Sequence, residues 1–219
     1  MKKNLTELVF ILDRSGSMSG LETDTIGGFN SMIAKQKKEA GEALVSTVLF
    51  DNESVVIHDR LPLEDVPPMT EKEYFTLGCT ALLDAIGYGM EKMVNIQRHL
   101  PEDERAERVI FVITTDGLEN ASKRFGYEKI RRMIEREKEQ YGWEFLFLGA
   151  NMDAVKEAAR FGISSDRAVR FENDAQGVAV NYHVVSETVS RMREAPCCAS
   201  IGAEWKEQIE ADFQKRHHR

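Results

Sequence analysis

Cysteine is scarce in this chain: Cys79, Cys197 and Cys198 are the three among 219 residues. Their number is odd and no Cys-x-x-Cys spacing occurs, which excludes a disulfide scaffold and a thiolate zinc site. Reduced thiols are the expectation, with the vicinal Cys197-Cys198 pair a lesser candidate for redox or soft-metal sensing. Long apolar runs are missing too. Leu8 to Leu12 is interrupted by Asp13 and Arg14, too early for a secretory signal, and no segment approaches the ~20 apolar residues of a membrane span. These absences predict a cytosolic (cytoplasmic) chain with no membrane partner. Positive charge is in deficit, 29 Lys and Arg against 37 Asp and Glu, and the net charge of −8 opposes nucleic-acid binding. The basic clusters Arg131-Arg132 and Lys215-Arg216 read as solvated helix faces. No Gly-x-x-x-x-Gly-Lys loop is present to cradle a phosphate. No motif sets a histidine beside a serine: His58, His99 and His183 fall on separate elements, and His217 and His218 belong to a basic terminus expected to be disordered.

What is present is the pattern of one α/β domain. A chain of this length, 42% hydrophobic, can bury one substantial core. Apolar strand runs at 8–12, 45–50, 54–61, 109–114, 144–148 and 168–171 alternate with helical periodicity at 20–41, 80–100, 127–140, 153–161 and 174–193. Asp51-Asn52-Glu53 is a short turn, so 45–50 and 54–61 should pair as an antiparallel hairpin at a sheet edge. The expected fold is a doubly wound, Rossmann-like three-layer sandwich around a mostly parallel sheet of about six strands, one antiparallel at the edge. The domain should span residues 1–195. Residues 196–219 form an extension expected to be helical, with Trp205, Ile209 and Phe213 on one face. That stripe is expected to pack on the domain, with docking of a partner or a second copy as the alternative.

Oxygen-bearing side chains gather where two of these strands end. Asp13, Ser15 and Ser17 alternate immediately after the first strand, so all three can project to one side and converge on a hard cation, with Gly16 allowing a tight turn. Thr80 opens a helix after a short loop, and Asp116 follows the 109–114 strand. If those strands run parallel, both carboxyl ends lie on the edge where open α/β folds bind ligands. Asp13-x-Ser15-x-Ser17 alone would be an ordinary turn whose side chains bond their own backbone. Thr80 and Asp116, each at the end of a suitable element, shift the reading to a metal site. Hydroxyl and carboxylate oxygens are hard donors suited to Mg²⁺ or Mn²⁺. A calcium loop beginning at Asp13 would want glycine where Met18 stands and glutamate where Asp24 stands.

These segments resemble the metal-ion-dependent adhesion site (MIDAS) of von Willebrand factor type A domains, whose pattern is Asp-x-Ser-x-Ser, then a threonine, then an aspartate after a strand. The resemblance follows element order from about Glu7 to Arg193, and Trp143 to Asn151 looks like a strand of small bacterial members. It implies Asp13, Ser15, Ser17, Thr80 and Asp116 as metal ligands. It also implies a function as a protein-interaction module in which a partner's carboxylate completes the coordination. Asp84 could orient a ligand or only complement the helix dipole. Asn30 and Asn120 could bond the loops of the site, and Arg14 and Glu119 could flank its mouth.

The enzymatic alternative is a Mg²⁺-dependent phosphohydrolase of α/β type. The haloacid dehalogenase pattern needs Asp-x-Asp, whose second carboxylate moves a proton, and here that position is Ser15. A hydroxyl cannot do that work near neutral pH, so no catalytic residue is expected. A third possibility is a structural adaptor whose metal only stabilises loops.

Overall fold

The computed structural model describes residues 1–195 and 201–217. Cys197, Cys198 and His218 lie outside the described residues. The order of elements is β1 (Lys2–Asp13), α1 (Glu22–Gln36), β2 (Glu42–Phe50), β3 (Ser54–Pro62), α2 (Leu82–His99), β4 (Ala106–Thr115), α3 (Tyr127–Tyr141), β5 (Glu144–Ala150), α4 (Ala154–Arg160), β6 (Ala168–Phe171), α5 (Ala175–Glu194) and α6 (Glu207–His217). The strands form one six-stranded sheet in the order β3-β2-β1-β4-β5-β6. Every pairing is parallel except β2 with β3, the expected hairpin at the edge.

The apolar runs are continuous because the central strands are covered on both faces. Alternation along each strand divides the core in two. Leu8, Phe10 and Leu12 of β1, Ile110 and Val112 of β4, and Leu146 and Leu148 of β5 pack on the side of Phe29 in α1 and Val185 in α5. Val9, Ile11, Phe111, Ile113, Phe145 and Phe147 face Ile86 of α2 and Ile134 of α3.

Several boundaries differ from the expected ones, α1 ending at Gln36 and β2 and β4 starting at Glu42 and Ala106 among them, and for three others the contacts give the reason. β1 starts six residues early, at Lys2, because polar residues that no apolar pattern reveals are buried in it. Glu7 is fully buried and receives Arg60 Nε at 2.8 Å and Gln97 Nε2 at 3.2 Å. The first helix begins at Glu22 rather than residue 20, because Gly20 takes φ +90° after a short 3-10 turn, Gly16–Met18. α2 begins at Leu82 rather than Thr80, because the backbone of 80–81 is engaged by other loops. Thr80 N donates to Asn120 Oδ1 at 3.0 Å, and Ala81 N donates to the Asp51 carbonyl at 2.8 Å.

The tail packs on the body of the protein. Trp205 and Ile209 are buried, Trp205 Nε1 donates to the Asp166 carbonyl at 2.7 Å, and Arg170 lies over the half-buried Phe213 ring at 4.5 Å. His217, expected in a disordered terminus, closes α6 with Nε2 2.7 Å from Glu172 Oε2. Among the described residues no helix is long and apolar enough to cross a membrane.

Candidate functional site

Neighbouring β1 and β4 mark the point where the strand order reverses: the chain proceeds outward from β1 through β2 to β3, then returns to β4 on the other side. Side chains at the carboxyl ends of such a pair face a crevice that no crossover helix fills. Asp13 ends β1 and Asp116 follows the end of β4, so the topology brings together residues 103 positions apart. Thr80 reaches the same edge because its loop is tied to the first one. Leu77 N donates to the Arg14 carbonyl at 2.9 Å, and Gly16 N to the Gly78 carbonyl at 3.1 Å.

All five residues singled out in the sequence gather there, and the side chains of four of them form one continuous chain of polar contacts. Thr80 Oγ1 donates to Ser15 Oγ at 3.1 Å, Ser15 Oγ lies 3.0 Å from Ser17 Oγ, and Ser17 Oγ donates to Asp116 Oδ1 at 2.5 Å. Asp13 is held from both sides, its Oδ1 accepting from Ser15 N at 2.7 Å and its Oδ2 from Thr115 Oγ1 at 2.6 Å. Asp13, Ser15, Thr80 and Asp116 are buried, whereas Ser17 is exposed, so the cluster opens to solvent on one side.

Two glycines make this approach possible. A Cβ on Gly117 would stand 2.8 Å from Thr80 Oγ1 and 3.4 Å from Ser17 Oγ. Gly78 takes φ +69°, and a Cβ there would strike Asn52 Oδ1.

The electrostatics are unbalanced. Burial pushes the Asp13 carboxyl up from 3.8 to about 6, and the neighbouring Asp116 adds to the rise; burial raises Asp116 as well. Among the described residues no Lys or Arg forms an ion pair with either group. Arg14, the nearest cation in sequence, is buried against Asp51 at 2.9 Å with its guanidinium 4.9 Å from the Phe75 ring. Among the described residues the cluster therefore has two desolvated carboxyl groups and no paired cation, a costly arrangement when they are ionised unless a cation enters.

The donor set suits a hard divalent ion. It is all oxygen, two carboxylates and three hydroxyls; among the described residues no group of three or more His, Cys, Asp or Glu is placed to hold a metal, here or elsewhere, so the hydroxyls would have to supply most of the ligands. Ligands about 2.1 Å from an octahedral ion lie about 3 Å apart along each edge, and the contacts linking Thr80, Ser15, Ser17 and Asp116 run from 2.5 to 3.1 Å.

The supporting residues divide differently from expectation. Asn120 does bond the site, its N donating to the Thr80 carbonyl at 3.1 Å. Asn30 instead brackets Met69, through Nδ2 to the carbonyl at 2.9 Å and Oδ1 to the amide at 2.8 Å. Asp84 accepts from the backbone N–H groups of Lys123, Arg124 and Phe125, so it shapes that loop and touches none of the five. Glu119 turns inward to the start of α2, accepting from Leu83 N at 2.8 Å. Neither it nor the buried Arg14 is a free charge at the mouth. Thr115, Tyr74 and Asn173 were missed. Tyr74 donates to the Asp13 carbonyl at 2.6 Å, and Asn173 Nδ2 donates to Asp116 Oδ2 at 3.0 Å. Thr115, beside Asp116 in the sequence, could have been found; Tyr74 and Asn173 carry no motif.

The fold matches that of solved von Willebrand factor type A domains. Among solved structures the chain is similar to the von Willebrand factor domain of the type V pili tip protein Mfa5 from Porphyromonas gingivalis, with a TM-score of 0.60, 11% identity and coverage of 90% of this chain and 98% of that one. It is also similar to von Willebrand factor type A from Catenulispora acidiphila, with a TM-score of 0.55, 14% identity and coverage of 86% and 42%. A third is proximal thread matrix protein 1 from the mussel byssus, solved with a zinc-occupied MIDAS motif, with a TM-score of 0.55, 16% identity and coverage of 84% and 46%. The chain thus corresponds to less than half the length of two of these. No protein-family model matches it, and no curated protein matches it.

Proposed function

We propose that this protein is a metal-dependent interaction module in which Asp13, Ser15, Ser17, Thr80 and Asp116 hold Mg²⁺ or Mn²⁺ and a protein partner supplies a carboxylate. The observation that carries this reading is a pair of buried carboxylates with no paired cation among the described residues, Asp116 joined to three hydroxyls in one contact chain and Asp13 tied to the same chain through Ser15 N. A bound divalent ion would supply an electrophilic position open to an exogenous carboxylate. Two protein carboxylates only neutralise its double charge, so the hydroxyls leave it attractive to a further anion. Thr115 and Ser15 N fix the Asp13 carboxylate, while Asn173 and Ser17 fix that of Asp116.

The surroundings support contact with a protein. Phe75, Leu77 and Leu118 are exposed large apolar side chains on the loops that carry the site, a setting suited to an acidic residue flanked by apolar ones. Ser15 stands where the haloacid dehalogenase pattern needs its proton-moving aspartate, which supports a binding role over phosphate-ester hydrolysis of that type. That the byssus protein has been solved with zinc in its MIDAS supports a divalent ion here, while the oxygen-only donors favour Mg²⁺ or Mn²⁺. The cytosolic location expected from the sequence remains part of the proposal.

The test is capture of binding proteins by the immobilised chain in Mg²⁺, in chelator, and with Asp116→Ala. A partner retained only by the wild type in Mg²⁺ supports the reading. A partner retained equally in all three overturns it, as does Mg²⁺-dependent hydrolysis of a phosphate ester that Asp13→Ala abolishes.

A further inference from the structure

We propose that α6 is a positioning element for the metal site, acting through Asn173; this rests on the metal-binding reading above. Asn173 is the middle residue of a short connection, Glu172-Asn173-Asp174, between β6 and α5. It donates to Asp116 Oδ2 at 3.0 Å, and the residues on either side of it are both held by the last turn of α6. Arg216 Nη1 pairs with the Asp174 carboxylate, and His217 Nε2 lies 2.7 Å from Glu172 Oε2. Arg216 is itself set by Asp212 Oδ2 at 2.7 Å, and Asp212 Oδ1 accepts from Gln176 Nε2 at 2.9 Å at the start of α5. α6 is in turn seated by the buried Trp205 and Ile209, and by Phe213 beneath Arg170.

A single path therefore runs from the tail to a site residue. The remaining polar atom of the Asn173 side chain, Oδ1, is buried without a hydrogen-bond partner. Its orientation thus depends on Asp116 and on a backbone pinned at both neighbours. One pin is a part-exposed ion pair and the other a hydrogen bond from or to an imidazole, each of small individual worth, but two pins on three consecutive residues restrict where Asn173 can point. With its amide in place, Oδ2 of Asp116 is occupied and Oδ1 faces the hydroxyls. Contacts of this kind around a metal ligand are worth about 10–100-fold in metal affinity. Asp174 also caps α5, accepting from Gly177 N at 2.7 Å, so the path is best cut from the α6 side.

The test is Mn²⁺ binding to the full chain, followed by the electron paramagnetic resonance signal of free Mn²⁺, with metal-free melting curves to confirm folding. Asn173→Ala should weaken binding about tenfold. Arg216→Ala should weaken it about threefold, and Arg216→Lys, which keeps the charge, should recover most of that loss. The double variant Asn173→Ala/Arg216→Ala should bind no more weakly than Asn173→Ala alone, because both changes cut one path. Wild-type affinity in Arg216→Ala, or losses that multiply in the double variant, overturns the role of α6. Failure of the wild type to bind Mn²⁺, or full binding by Asp116→Ala, instead overturns the metal site beneath it.

Discussion

The raised Asp13 carboxyl converts the site's electrostatics into a stability curve. Its pKa in the folded protein is about 6 against an ordinary 3.8. A rise of about 2 pH units is worth about 3 kcal/mol. The sign follows from which state holds the proton. The fold retains a proton that the unfolded chain has released, so the contribution is fully present below pH 3.8 and is lost as pH rises through about 6. Metal-free protein should therefore weaken between about pH 4 and pH 7 relative to Asp13→Asn, which keeps the shape and the acceptor for Ser15 N without the charge. Urea unfolding in chelator across that range measures the difference between the two proteins, in which titrating groups remote from the site cancel and only Asp116, coupled to Asp13, does not. It should change by about 3 kcal/mol, wild type losing. Mg²⁺ should reverse the trend, because binding requires the carboxylate and protons compete with metal below pH 6. A wild-type curve parallel to that of Asp13→Asn from pH 4 to pH 7 would refute the claim that this carboxylate is buried without a counter-charge.

Further outcomes follow from particular contacts. Gly117→Ala places a methyl 2.8 Å from Thr80 Oγ1 and should abolish the Mg²⁺-induced rise in Tm, read by calorimetry, while the metal-free protein still folds. Leu77→Ser with Leu118→Ser removes exposed apolar surface; it should weaken capture of the partner while Mn²⁺ affinity holds and stability shifts by no more than about 0.5 kcal/mol. Trp205→Ala empties a buried position and should cost about 3–5 kcal/mol in urea unfolding. A cost below about 1 kcal/mol would show that the tail does not pack on the domain.

The fold was readable because buried parallel strands leave uninterrupted apolar runs, and because helices with one covered face keep their periodicity. Val9 to Leu12 and Val109 to Ile113 announced their strands in this way. The early part of β1 did not, since Thr6 and Glu7 are buried polar residues whose partners, Arg60 and Gln97, lie far along the chain. Meeting of the five site residues could be expected from where each sits relative to its strand or helix, a local property. Asn173 and Tyr74 could not, because each reaches the site across a tertiary contact between segments with no motif. Arg14 and Glu119 were misplaced for a related reason: charge in a loop suggests exposure, but Asp51 and the start of α2 draw them inward.

The central claim is that the oxygens of Asp13, Ser15, Ser17, Thr80 and Asp116 surround one divalent ion. Anomalous diffraction at the manganese edge, from crystals grown with Mn²⁺, addresses it most directly. A single strong peak should appear among these five side chains, about 2–2.5 Å from the Ser15 and Ser17 hydroxyls, with a coordination position open to solvent. A peak elsewhere, or none at saturating Mn²⁺, would contradict the account.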